Sequence, residues 1–302
     1  MWSQQAPWRP TEARLGCARA STLPSVSEWS RWEATVPSAR VDRASWSGLA
    51  SGRDDPAHAP VIELPIKPSP RGGSGTFLAA DHDGVQWWVK PLNNQQGPLV
   101  PVTEQLVAGA GRLIGAPVCE TAVARLPAEI AGWEFRSGAL IEPGYAHASR
   151  AVETASEENQ LLYRDRDDNR RRHAGVYAVY DWCWGGDDQW LYAEAEDRQL
   201  YSHDHGWYLP ETGPSWDEAS LSVHVDEAHQ AMWPSNELDG DELTRLAGRL
   251  RSLTRDDLVV LVRRVPASWP VGDTDLETLG WFLERRASAV ADRLESMRGD
   301  KQ

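Results

Sequence analysis

Apolar positions change period along this chain. Val61–Lys67, Thr76–Ala80 and Val85–Lys90 read as strands, and Asp81-His82-Asp83-Gly84 between the last two ends in an Asp-Gly pair that suits a hairpin. Val102, Leu106, Val107, Ala110, Leu113 and Ile114 then recur at helical spacing, and Gly115 with Pro117 stops that helix. Val118–Leu126 and Trp133–Ile141 predict two further strands. Residues 147–170 are polar and show no period, and Arg164–Arg172 is a mixed charge run. His173–Trp184 suits a helix, while Trp190–Tyr192 and Leu200–His203 are short apolar stretches between turns. Beyond Trp216 the pattern is helical over 239–253, 255–265 and 273–297. The last of these puts Leu276, Leu279, Phe282, Leu283, Ala287, Val290 and Leu294 on one side. A strand-rich front and a helix-rich back predict an α+β fold in two lobes, 61–145 and 146–302.

Composition changes the picture at the front of the chain. Residues 1–60 hold five Trp but no Ile, Phe, Tyr or Lys, and their apolar residues follow no period. So few aliphatics predict a disordered leader, with a Trp-rich docking arm as the functional alternative. Over all 302 residues the net charge is −14, which argues against coating a nucleic acid, where Lys and Arg must replace phosphate counterions. No apolar run reaches the roughly 18 residues a membrane span needs. No signal-peptide pattern opens the chain, so a cytoplasmic protein is expected. Cys17, Cys119 and Cys183 are too widely spaced for a disulfide framework or a CxxC metal pair.

Of the 31 basic residues only Lys67, Lys90 and Lys301 are lysines. Arg and Lys are not interchangeable where a point charge is needed, so Lys90, at the end of a predicted strand, draws notice. Upstream of it, Gly72, Gly73 and Gly75 form a turn between two strands, open enough for backbone N–H groups to meet anionic oxygens. Downstream, the helix offers Glu104. A strand lysine held by a helix carboxylate grips nucleotide phosphates in kinase-like folds. Asp187 and Asp188 follow a Gly-Gly turn, and Asp204 opens an Asp-His-Gly sequence after a short strand. These carboxylates suit acceptor orientation and Mg²⁺ binding.

Together these residues resemble the HipA-like kinase family, in particular its shorter bacterial branch. The resemblance rests mainly on Trp87-Trp88-Val89-Lys90-Pro91-Leu92-Asn93-Asn94-Gln95-Gln96-Gly97-Pro98, on Thr103-Glu104-Gln105-Leu106 and on Asp204-His205-Gly206. Gly115-Ala116-Pro117-Val118 is similar to the opening of the family's next strand. Residues 61–235 are covered. The resemblance implies a two-lobed kinase fold and transfer of the ATP γ-phosphoryl group to a hydroxyl, that of a protein Ser or Thr. It places Ala139, Leu140, Ile141 and Glu142 against adenine, makes Asp188 the acceptor-orienting acid with Asp187 as substitute, and gives Asp204 the Mg²⁺. ATP, Mg²⁺ and an unidentified hydroxyl acceptor are the implied partners.

One departure opens alternatives. The family carries Asp-Arg-His and then an Asn for the second metal, whereas Asp188 is followed by Gln189-Trp190-Leu191-Tyr192. Gln189 or Asp187 would have to fill the metal position. A working kinase and a nucleotide-binding pseudokinase therefore both stand. A metal-dependent hydrolase is the third reading, raised by His203 with His205 and His224 with His229.

Overall fold

In a computed structural model the described residues are 41–70, 73, 75–136, 138–210, 216–229, 231 and 238–298. They belong to one unit, Arg40–Gln302. The alternating segments form strands β1 (Ile62–Pro68), β2 (Phe77–Asp81) and β3 (Gln86–Lys90). Asp81 builds the β2–β3 turn. Its Oδ1 accepts from the N–H groups of Asp83 (3.0 Å) and Val85 (2.9 Å), and its Oδ2 from Trp87 Nε1 (2.9 Å). After helix α1 (Leu99–Ile114) come β4 (Thr121–Leu126), β5 (Glu134–Arg136), β6 (Ala139–Leu140) and β7 (Gly144–Arg150). The main sheet is antiparallel with order β1-β2-β3-β7-β4, while β5 and β6 pair separately.

Period 2 gives this sheet two different faces. Ile62, Phe77, Ala79, Trp87, Val89, Ala124, Ala146 and Ala148 form one small core with Phe135 and Ile141 of the β5–β6 region. The alternate residues Trp88, Lys90, His147 and Ser149 turn to the other side, where α1 and the cleft lie. Helix α1 is buried nearly all round, and its Val102, Leu106, Val107, Ala110 and Ile114 belong to the large core of the following half. That makes α1 the element joining the two lobes.

The second lobe contains β8 (Ala155–Glu158), α2 (Asn169–Trp182), β9 (Trp190–Ala193), β10 (Gln199–Ser202), α3 (Glu218–His224), α4 (Gly240–Ser252), α5 (Arg255–Arg263) and α6 (Asp273–Ser296). Strands β10, β9 and β8 pair in that order. Two backbone hydrogen bonds tie β10 to the segment before β4, Ser202 N–H to the Pro117 carbonyl (2.6 Å) and Cys119 N–H to the Ser202 carbonyl (3.0 Å).

Three boundaries depart from the pattern-based expectation. Strand β7 extends the first lobe to Arg150, past the boundary at 145. The apolar stretch Trp133–Ile141 is a short hairpin, because Gly138 turns the chain back. The leader reading fails for 41–60: Trp46 is fully buried and donates its indole N–H to Glu284 (2.6 Å). Its ring fills a slot on α6 at Gly280, where any Cβ would overlap the indole. Residues 1–40 lie outside the described residues.

Candidate active site

Apart from Arg112 in its last turn, the polar side chains of helix α1 are Thr103, Glu104 and Gln105, all three buried. Buried polar groups need partners, and each of these has one. Thr103 Oγ1 accepts from Trp216 Nε1 (2.9 Å), and Gln105 Oε1 meets His147 Nδ1 on β7 (3.1 Å). Glu104 pairs with the Lys90 ammonium, and its Oε2 accepts the backbone N–H of His205 (2.9 Å). Lys90 also pairs with Asp204, so strand β3, helix α1 and the loop after β10 meet on one ammonium group. Asp204 reaches it from a left-handed backbone (φ +54°), a conformation Asp tolerates better than most residues.

The charge balance of this cluster is its main physical feature. Burial disfavours the Lys90 ammonium, yet the Asp204 and Glu104 carboxylates outweigh it and hold the pKa above its ordinary value. Of the two acids, Glu104 yields: burial pushes its carboxyl up against the pull of Lys90. Burial pushes Asp204 the same way, but the Lys90 charge overcomes it and the carboxyl stays ionised. Asp204 is thus the ionised, part-exposed carboxylate that faces open space, with Glu104 buried behind it.

That space is a cavity of about 580 Å³ between the sheet and the second lobe. Trp88, Lys90 and Ser149 line it from above, and Gln189, Leu191, His203 and Asp204 from below. Ser69, Pro70 and Thr76 flank the β1–β2 turn on its rim, and Ser69 N–H closes that turn on the Thr76 carbonyl (2.8 Å). A recess of about 330 Å³ adjoins it through Gln189 and contains Asp187, Asp188 and Glu157–Asn159. The Gly-Gly turn puts the acids there, since a side chain at Gly186 would overlap the Trp207 carbonyl oxygen. Asp187 Oδ2 accepts from Gln189 Nε2 (2.6 Å), and burial first, then the Asp204 charge, raises its pKa.

The structure thus brings together Lys90, Glu104 and Asp204, with Asp187, Asp188 and Gln189 beside them. It does not bring in the four residues assigned to adenine. Ile141 is buried in the small sheet core, Leu140 is exposed, and none of Ala139–Glu142 lines the cavity. The connection between the lobes runs instead from β7 to β8, and its Arg150, Val152, Ala155 and Ser156 line the cavity. Of the turn glycines, Gly73 is tied through its carbonyl to Arg136 Nη1 (2.8 Å), the space beside Gly75 is filled by Phe135, and Gly72 lies outside the described residues.

One cavity residue, His147, escaped the sequence reading, and another, His203, was weighed there only as a metal ligand. His147 sits on a strand too rich in small residues to announce itself. His203 reads as an ordinary core-edge histidine, but its Nε2 is buried without a partner, and burial lowers its pKa to about 4. The remaining histidines do not converge: His224 pairs with Glu227 (2.7 Å), and His229 bonds the Gly185 carbonyl. Among the described residues no three or more His, Cys, Asp or Glu form a metal-binding group, so the hydrolase reading gains no site.

No family model and no curated protein sequence matches the chain. Its fold is similar to the crystal structure of CtkA, a Helicobacter pylori proinflammatory kinase, with a TM-score of 0.55 at 11% sequence identity. The match covers 80% of this chain and 98% of that one. The fold is therefore α+β and two-lobed in the manner of kinases, as the residue pattern predicts.

Proposed function

We propose that the chain is an ATP-dependent phosphotransferase that moves the γ-phosphoryl group to a hydroxyl, with a Ser or Thr of a protein as the acceptor class. The observation that carries this reading is Lys90, buried between Glu104 and Asp204 at the wall of a cavity sized for a nucleotide. Lys90 neutralises the α- and β-phosphates, Glu104 orients it, and the β1–β2 turn covers the triphosphate. The base lies toward Trp88, Leu191 and Val152.

Asp204, with Asp187 or the Gln189 amide oxygen, would hold Mg²⁺. The fit is chemical, since these are hard oxygen donors and the crowding of Asp187 by Asp204 is what a divalent cation relieves. When bound, the ion spreads the charge that builds on the phosphate oxygens. Asp188 orients the acceptor hydroxyl and takes its proton as the oxygen–phosphorus bond forms and ADP departs. Such a site works by positioning and charge stabilisation rather than by covalent chemistry.

A second reading has its own observation. Asp188 is followed by Gln189 and then at once by β9, leaving no loop for a second metal-binding amide. That favours a nucleotide-binding pseudokinase. Thermal unfolding with ATP separates the two. A stabilisation that needs Mg²⁺ is expected for the transferase, one indifferent to Mg²⁺ for the pseudokinase, and no shift at saturating ATP removes both.

A further inference from the structure

The loop that carries Asp187 and Asp188 starts under strain. Trp184 has φ +56°, an outlier for so bulky a residue, and Gly185 N–H folds back to the Tyr180 carbonyl (2.8 Å). The His229 ring is stacked between the two aromatic side chains at this corner. It lies 4.3 Å from the Trp184 ring at 18° and 5.3 Å from the Tyr180 ring at 16°. Its Nε2 is 2.6 Å from the Gly185 carbonyl oxygen, which can only accept, so Nε2 carries the hydrogen.

The same rings continue to the other acid-bearing loop. Tyr180 meets Tyr208 edge-on (5.8 Å, 78°), and Tyr208 meets His205, the residue after Asp204 (5.0 Å, 83°). Leu209 N–H reinforces the link by donating to the carbonyls of Cys183 and Trp184, each at 3.0 Å. Behind His229 the segment is anchored to α6. Arg286 Nη1 donates to the carbonyls of His224 (3.1 Å) and Glu227 (2.6 Å), and the His229 N–H reaches Asp181 Oδ1 (3.3 Å). An apolar side chain would fill the slot between the rings equally well. Only a side chain with an N–H also fixes the carbonyl just before Gly186, where the loop bends.

We propose that His229 is a positioning residue, a latch that sets the Asp187–Asp188 loop against the Asp204 loop. The proposal rests on the phosphotransferase reading for its effect on turnover, and on the contacts alone for its effect on the loop. It touches neither Lys90 nor the cavity wall, so it acts on the transfer step and not on nucleotide binding.

The test uses the full chain with three variants: His229→Phe keeps the stack and loses the donor, His229→Gln keeps a donor, and His229→Ala loses both. The readouts are MgATP turnover to ADP and amide hydrogen exchange. His229→Phe and His229→Ala should lower kcat about 10- to 100-fold, with KM for ATP within about twofold of wild type, and His229→Gln should recover most of the loss. Exchange at 184–189 should rise in the Phe and Ala variants while 88–106 stays as in wild type. Wild-type kcat together with wild-type exchange in His229→Phe overturns the latch, as does exchange that rises evenly along the chain. If the wild type turns over no ATP, the phosphotransferase reading fails, and the exchange pattern alone then upholds or overturns the latch.

Discussion

Among the described residues, two buried ion clusters differ in what they face. Asp181 lies between Arg286 and Arg293, with Arg293 Nε at 2.6 Å and Arg286 Nη2 at 3.3 Å. Arg286 gives its other hydrogens to the carbonyls of Trp182, Asp181, His224 and Glu227. None of these residues lines the cavity. Lys90, Glu104 and Asp204 form the second cluster, where one base meets two acids and all three open on the cavity. Burial of charge is common to both and therefore does not by itself mark a site. A charged cluster that opens on a cavity is the stronger mark.

Breaking each cluster should consequently damage a different property. The largest effect is expected from Lys90→Met, which removes the group that meets the phosphates. ATP turnover should fall by about 10²- to 10³-fold, the scale for losing a charge-stabilising donor. The folded fraction, read by circular dichroism at the assay temperature, must remain high for the comparison to stand. Arg286→Met should do the reverse. Loss of a buried, fully bonded cation costs about 3–5 kcal/mol, seen as a lower denaturation midpoint, while ATP affinity of the folded protein stays within about twofold.

How much of this contrast was legible in the sequence depends on distance along the chain. Helices α1, α4, α5 and α6 were, because 3.6-residue periodicity is local. Lys90, Glu104 and Asp204 were, because lysine is scarce here and each sits in a recognisable setting. The cavity wall from β7 to β8 was not. Gly144–Arg150 is short and rich in Ala and Ser, and its insertion between β3 and β4 is a property of topology. The aliphatic run 139–142 therefore draws the adenine role in the sequence, whereas Arg150, Val152, Ala155 and Ser156 are the residues that line the cavity. Trp46 was hidden for a related reason, since average composition cannot register one indole fitting one glycine slot far along the chain.

A smaller effect sharpens the contrast from outside both clusters. His173 on α2 is buried, and burial lowers its pKa to about 4. An unfolded histidine protonates near 6.5, so between these values the unfolded chain binds the extra proton. Stability is thus fully present above about 6.5 and is lost as pH falls toward 4. Replacing His173 with Leu should make this acid limb shallower by up to about 1.4 kcal/mol per pH unit, measured by denaturation at stepped pH. An unchanged limb would assign the acid sensitivity to other groups.

The most direct test of the central claim is calorimetric titration of the full chain with ATP and Mg²⁺, wild type beside Lys90→Met. Saturable one-to-one binding by wild type, weakened at least about tenfold in the folded variant, is the result the cluster's geometry predicts. Equal affinity in both proteins, or no binding by wild type at millimolar ATP, would contradict it.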